Sequence, residues 1–314
     1  MKKYELLAVG GVYIDINSTG APFDERGLAV ETELVAGDYE FTLGGSALNF
    51  SRLCVALGLS AVMVGKTGQD RPGEMLARMI EQAGIRPALV VDAAVHTNIG
   101  MNFVNDQAHT LMAAMGTANQ ALTADEVLER AEPLLPEVEY LYLGSCLKLK
   151  RLLPAYEELA ERARATDTRI VVDHGRLNAG STEGDLAMVR ELVRRADYYF
   201  PSRDEFLALW GFGAIEAGLE DHDWGDTRVA VKDGARGAWG LVGGNVVRVP
   251  AHDVRPVNMV GAGDSFNAGV IAAVRAGKDL ETAMRYGSAT AALKISRPGL
   301  PTLAEVERLV KAGA

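Results

Sequence analysis

The chain has 314 residues, with 48% of them in the AVILMFWYC group, 34 glycines, and 32 Lys and Arg against 42 Asp and Glu, for a formal charge of −10. At roughly 150 residues per domain this length allows about two domains, and the apolar share is enough for a large core. The acidic balance argues against nucleic acid as a partner, no run of about 18 apolar residues exists to span a membrane, and the glycine content exceeds the usual ~7% with no G-X-Y period, so it needs a local explanation.

In chain order, Met1 to Ile16 carries two lysines and a short apolar run broken by Gly10, Gly11 and Asp15, with no small-residue cleavage site after it. It reads as a first strand, Leu6 to Gly10, and not as a signal peptide, and the expected compartment is the cytoplasm. Further apolar runs predict strands at Ala61 to Gly65, Tyr140 to Gly144, Ile170 to Asp173, Tyr198 to Pro201 and Val229 to Lys232. Between them, 3.6-residue periodicity predicts helices over Ser46 to Leu57, Gly73 to Gly84 and Asp264 to Ala276. Capping boxes mark two more, Thr123 with Glu126 and Thr302 with Glu305. Such alternation is the signature of βαβ units, hence an α/β fold of three layers, α/β/α, around a mostly parallel sheet.

Two segments break that rhythm. Residues 12–42 and 98–114 alternate in strand fashion with polar turns, and they predict a small separate β-sheet acting as a lid over the carboxyl edge of the main sheet. With no internal repeat or low-complexity linker, residues 1–314 read as one domain with a lid. The two cysteines, Cys54 and Cys146, lie in apolar stretches without a C-x-x-C pair and read as buried thiols.

The most informative stretch is VNMVGAGDSFNAGVIAAV, Val257 to Val274. Gly261, Ala262 and Gly263 precede Asp264 and an amphipathic helix. A glycine-rich turn at a helix N-terminus presents free amides at the positive end of the dipole, which suits a phosphate. Asp264 is then either a general base beside the incoming phosphoryl group or a simple helix cap. In a second stretch, Leu43 to Leu76, Gly44 and Gly45 let a ligand approach the backbone or make an ordinary turn, and Asn49 carries an amide able to bond hydroxyls. Gly65-Lys66-Thr67 mimics the end of a P-loop but fails, because Ser60 replaces the first glycine and Ala61 to Val64 reads as a strand.

Taken together these stretches resemble the paired signatures of the ribokinase-like superfamily, the PfkB carbohydrate kinases. The first signature is present as Gly44, Gly45, Asn49, Leu57, Gly58, Gly65, Gly68, Asp70 and Gly73, and the second as Asn258-Met259-Val260-Gly261-Ala262-Gly263-Asp264. The resemblance implies a ribokinase-like fold over the whole chain, an ATP-dependent phosphotransfer to a hydroxyl of a small sugar, and Mg2+. It makes Asp264 the base, Gly261, Ala262 and Gly263 the anion hole, and Asp15, Gly44, Gly45 and Asn49 the residues at the sugar. It places Lys232, Gly234 and Gly237 in the strand and turn under the nucleotide.

Three departures qualify it. Asn258 and Met259 replace an aspartate and threonine; the aspartate position helps hold a monovalent cation in some members, so potassium dependence stays open. The family N-x-x-E motif, tied to magnesium and phosphate, reads Ser202-Arg203-Asp204-Glu205, which leaves Glu205 as an indirect metal contact. Asp173-His174-Gly175-Arg176 follows a strand with altered spacing, and Arg176 is the candidate substrate contact there. Asp221-His222-Asp223 reads as a solvated turn, and His96, His109 and His252 lack the pairing of a ligand set.

The sequence therefore predicts a sugar kinase acting on a primary alcohol. A nucleoside or phosphosugar kinase of the same fold, such as a 1-phosphofructokinase-like enzyme, and a non-catalytic nucleotide- or sugar-binding homologue are the rivals. The exposed edges expected of a small lid sheet predict a homodimer formed through it.

Overall fold

The structure is a computed structural model that describes residues 2–19, 37–104, 109–113, 117–177 and 180–313. Its elements begin with β1 (Tyr4–Val9), β2 (Tyr13–Thr19), β3 (Asp38–Gly44), α1 (Ser46–Ala56), β4 (Ala61–Val64), β5 (Lys66–Gly68) and α2 (Arg71–Gln82). There follow β6 (Ile85–Pro87), β7 (Val90–Asp92), β8 (Ile99–Val104), β9 (His109–Ala113), α3 (Ala118–Ala121), α4 (Ala124–Ala131) and β10 (Val138–Gly144). The middle of the chain forms α5 (Leu153–Ala165), β11 (Arg169–Asp173), α6 (Glu183–Arg194), β12 (Tyr198–Tyr199), α7 (Arg203–Trp210) and α8 (Ile215–Asp221). The last third supplies β13 (Arg228–Lys232), β14 (Ala238–Val242), β15 (Asn245–Val249), α9 (Ala262–Arg275), α10 (Leu280–Ser296) and α11 (Leu303–Ala312).

Nine strands form the main sheet in the order β15-β14-β13-β12-β11-β10-β1-β4-β6. It is parallel from β13 to β6 and antiparallel only at the β13-β14-β15 edge. The strands are apolar without interruption because both faces are covered. Leu6 and Ala8 of β1 face one core and Leu7 and Val9 the other, all fully buried, which gives the three predicted layers. Since β1 leads outward to β4 and β10 lies on its other side, the strand order reverses between β1 and β10. A crevice opens there at the carboxyl ends of the strands.

The separate sheet also forms, in the order β3-β2-β8-β9, with β2 and β8 parallel and the outer pairs antiparallel. Residues 20–36, 105–108 and 114 of the expected lid segments lie outside the described residues. Its register puts Asp15, Asn17, Thr42 and Asn102 on one face and Ile16, Phe41 and Met101 on the other. The polar face is the covered one, with Asn102 only 5% exposed, whereas Phe41 and Met101 on the apolar face are 45% and 39% exposed. Both capping boxes are present, and Cys54 and Cys146 are buried, their thiols pushed up by desolvation.

Several boundaries differ from the expectation for identifiable reasons. The second helix starts at Arg71, two residues early, because Asp70 caps it by accepting from the Gly73 amide at 2.8 Å. The strand expected to Pro201 stops at Tyr199, and Ser202 then opens α7. His222 is not in a solvated turn: its ring packs between Trp210 and Trp224, with centroids 4.5 and 4.4 Å away.

Helix α9 follows the Gly261 turn, and its position depends on close contact with α10. A Cβ at Gly269 would lie 2.7 Å from the Tyr286 carbonyl oxygen and 2.9 Å from the Gly287 Cα. Backbone cannot yield as a side chain does, so Gly269→Ala is expected to lower the unfolding free energy by about 1–3 kcal/mol in urea titrations. An unchanged midpoint would show that α9 can shift freely.

Candidate active site

Gly261 caps α9 in the left-handed region, with φ +79, so the helix begins at Ala262 and Asp264 occupies its third position. The cap role open to Asp264 is thereby filled by backbone. Instead of bonding a helix amide, its carboxylate accepts a 2.5 Å hydrogen bond from Ser46 Oγ at the start of α1. The three expected anion-hole amides are not equivalent. Ala262 donates to the Met259 carbonyl at 3.2 Å, which leaves the Gly261 and Gly263 amides as those not taken up by a carbonyl among the described residues.

Behind this turn lies a buried charged network. Lys232, at the end of β13, places Nζ 2.8 Å from Asp173 Oδ2 at the end of β11 and 3.2 Å from Asn267 Oδ1. Asn267, one turn along α9 from Asp264, donates to the same Asp173 oxygen at 2.6 Å. Burial alone would raise the Asp173 carboxyl and lower the Lys232 ammonium. Their mutual attraction outweighs it, so Asp173 is held below and Lys232 above its ordinary value. The ammonium faces the phosphate loop, since a Cβ on Gly263 would lie 3.5 Å from Lys232 Nζ.

Asp264 has no comparable partner. Burial pushes its carboxyl up to about 7, with the Asp173 charge acting in the same direction, while the Ser46 hydroxyl, the Lys232 ammonium and the Asn49 amide oppose the rise. A carboxylate with this value is part protonated at neutral pH and accepts a proton far more readily than an ordinary aspartate.

A cavity of about 760 Å³ opens on this cluster. Of the residues singled out from the sequence, Asp264, Gly261, Ala262, Gly263, Arg176, Lys232, Gly234, Gly237 and Glu205 line it. Asp15, Gly44, Gly45 and Asn49 do not; they lie beyond Asp264, where β3 meets α1. Gly44 and Gly45 are required there by the chain itself. A Cβ at Gly44 would be 2.1 Å from Asp15 Oδ2, and one at Gly45, with φ +102, would be 2.2 Å from the Gly11 carbonyl oxygen. Asp15 is half-buried, and desolvation raises its carboxyl against the pull of Asn102 and Arg52.

Some site residues were not assigned from the sequence. Ser46 follows Gly44-Gly45 directly, and that adjacency was the available signal. Asn267 stands one turn after Asp264 on the same helix. Asp173 was singled out only as the first residue of the Asp173-His174-Gly175-Arg176 run, with no role of its own; its pairing with Lys232 links residues 59 positions apart.

Among the described residues no group of three or more His, Cys, Asp or Glu side chains forms a metal cage. The donor set fits magnesium nevertheless. That ion keeps much of its water and uses one or two carboxylates plus phosphate oxygens, and Glu205 and Asp173 sit on the cavity wall. Glu205 is partly committed elsewhere, accepting from the Ser202 amide at 2.7 Å in a capping box, which agrees with an indirect contact.

A phosphate loop at a helix N-terminus, a carboxylate poised near neutrality and a switch-point cavity define a phosphotransferase-type site. The chain belongs to the pfkB family carbohydrate kinases, whose family model matches residues 5–306. It is similar to the 5-dehydro-2-deoxygluconokinase of Bacillus subtilis, at 25% identity over 99% of this chain and 97% of that one. The ribokinase of the same organism is 25% identical over 97% of this chain and 99% of its own length. An E. coli protein named as a ribokinase II, solved in complex with ATP and Mg2+, superposes with a TM-score of 0.80 at 21% identity, covering 98% of this chain and 99% of that one. The protein is thus a carbohydrate kinase with a ribokinase fold.

The raised carboxyl carries a stability consequence. The folded state holds the Asp264 proton more tightly than the unfolded chain does, so stability falls as pH rises from about 4 through about 7. Asp264→Asn removes that loss. In thermal melts the variant should match the wild type near pH 4 and exceed it at pH 8, by up to about 4 kcal/mol. A constant difference between the two pH values would show that Asp264 titrates normally.

Proposed function

We propose that this kinase transfers the γ-phosphoryl group of ATP to a hydroxyl, a primary alcohol, of a small sugar, with Asp264 as the base. The observation that carries the proposal is the Asp264 carboxyl near 7, placed at the N-terminus of α9 where the cavity ends. In this reading the nucleotide occupies the cavity along the turn containing Gly234 and Gly237, and the acceptor lies on the side of Asp15, Gly44, Gly45 and Asn49. The E. coli fold neighbour solved with ATP and Mg2+ supports this choice of donor.

The chain's own residues divide the work. The Gly261 and Gly263 amides and the α9 dipole would stabilise charge on the phosphoryl group in transit, with Ala262 setting the turn through its own hydrogen bond. Lys232, held ready by Asp173 and Asn267, would add a fixed positive charge at the same point. Arg176, exposed on the cavity wall, would contact the substrates there. Asp264 would take the hydroxyl proton as the oxygen attacks, and Ser46 with Asn49 would keep its carboxylate oriented. Magnesium, when bound, neutralises phosphate charge, and Glu205 would hold it through its water shell. Asn258, whose Oδ1 accepts from the Val260 amide at 2.8 Å, would not serve a monovalent cation with the charge of an aspartate.

The exposed apolar face of the lid sheet supports the dimer. Tyr39, Phe41 and Met101 are 63%, 45% and 39% exposed on a sheet whose covered face is polar. A second copy laid against them would remove that surface from water. Among the described residues no helix is long and apolar enough to cross a membrane, and a cytoplasmic location is consistent with that.

Asp264→Asn, checked to be folded, should lower kcat by about 10²- to 10⁴-fold in a coupled ADP assay, with a smaller change in acceptor KM. Near wild-type turnover would remove Asp264 as base. Phe41→Asp should convert a dimer to a monomer in light scattering at working concentration; a wild type that is already monomeric would remove the lid interface.

A further inference from the structure

A second cavity, of about 320 Å³, lies behind the turn that joins β13 to β14 and shares no lining residue with the cavity beside Asp264. The two alternate along the same stretches of chain. Gly234, Ala235 and Gly237 line the first cavity, and Asp233 and Arg236 line the second. Where α7 begins, Ser202 and Glu205 belong to the first and Arg203 to the second. A single thickness of chain therefore divides them, tied by the Lys232 amide to the Pro201 carbonyl at 2.9 Å and by the Asp233 amide to the Gly237 carbonyl at 2.8 Å.

The second cavity is walled by arginine. Asp233 is buried and accepts from Arg236 Nε at 2.9 Å, from Arg236 Nη2 at 2.6 Å and from Trp239 Nε1 at 3.2 Å. The Arg236 guanidinium, followed by Trp239 and Arg203, holds the Asp233 carboxyl below its ordinary value against the effect of burial. That acid is thus spent on Arg236. Among the described residues neither Arg203 nor Arg248 forms an ion pair. Arg248 is oriented all the same: its Nε and Nη2 both donate to the Arg236 carbonyl, at 3.1 and 3.0 Å, and its guanidinium lies over the Trp239 ring, 5.1 Å from the centroid. Its Nη1 and the whole fork of Arg203 stay available for a ligand. Glu216, exposed on the same lining, is the one acid that opposes them.

One guanidinium fork satisfies a carboxylate, whereas two forks without counterions match the double charge and three oxygens of a phosphate monoester. Trp239 and Ile215 supply an apolar wall for the rest of such a molecule. We propose that this cavity binds a phosphate monoester, with Arg203 and Arg248 on its phosphoryl oxygens and its organic part against Trp239, and that the occupant clamps residues 233–237 from behind. The clamp follows from Arg248, which already grips the Arg236 carbonyl in the turn; an anion held between Arg248 and Arg203 joins that turn to the start of α7. Under the kinase reading above, the turn runs along the nucleotide, so the occupant is an effector; binding and clamping are tested without that reading.

The probe is phenyl phosphate, titrated into the whole protein by calorimetry, with benzoate as the carboxylate of the same ring. Phenyl phosphate should bind saturably and about 10-fold or more tightly than benzoate. Arg203→Gln and Arg248→Gln, confirmed folded by circular dichroism, should each weaken it by about 10- to 100-fold. Glu216→Gln should tighten it by about two- to fivefold, a gain that a merely structural role for these side chains would not give. Hydrogen exchange of the 233–237 amides should slow by about threefold or more on binding in the wild type, and not in Arg203→Gln. Binding that is absent, or unchanged in both arginine variants, would overturn the site. Benzoate bound as tightly as phenyl phosphate would overturn the ligand class, and binding with unaltered exchange at 233–237 would overturn the clamp. If Arg248→Gln does not fold, Arg203→Gln decides, since Arg203 is exposed and holds no other element in place.

Discussion

The site depends on the pairing of Lys232 with Asp173 behind a second acid, Asp264, that has no cation of its own. With both buried groups charged and satisfied by each other and by Asn267, the Asp173 charge stays close to Asp264 and helps keep that carboxyl near 7. Were Lys232 free to swing to Asp264, that acid would fall towards an ordinary value and lose the feature on which its proposed role as base rests. The network thus assigns distinct protonation behaviour to two aspartates in one crevice, by giving one a cation and the other a hydroxyl.

Topology supplies what local chemistry cannot. Asp173 and Lys232 end strands on the same side of the switch point, α9 points its N-terminus at that edge, and α1 brings Ser46 across to Asp264. The close approach at Gly269 holds α9 against α10, so the position of Asp264 is set by helix packing as well as by its own loop. The small sheet continues the same logic with inverted polarity: its covered face carries Asp15, Asn17 and Asn102, linked by hydrogen bonds, and its outer face is apolar. A sheet that served only stability would place those faces the other way round.

The βαβ layers were legible because strands buried on both faces are unbroken apolar runs, as at Leu141 to Leu143, and because Thr123 and Thr302 announce their helices. The glycine turn was legible because Gly261, Ala262, Gly263 and Asp264 are consecutive in sequence. The charge network was not, since Asp173, Lys232 and Asn267 meet only after strands and helices far apart in sequence have packed. Gly44 and Gly45 read from the sequence as room for a ligand or as an ordinary turn; the fold adds a reason the sequence did not show, since side chains there would meet Asp15 and the Gly11 carbonyl.

A carbon-detected NMR titration of the Asp264 carboxyl tests the central claim most directly. The wild type should titrate near 7, and Ser46→Ala should move the midpoint upward, because the Ser46 hydroxyl stabilises the charged form. A midpoint near 4 in the wild type, unmoved by loss of Ser46, would contradict it.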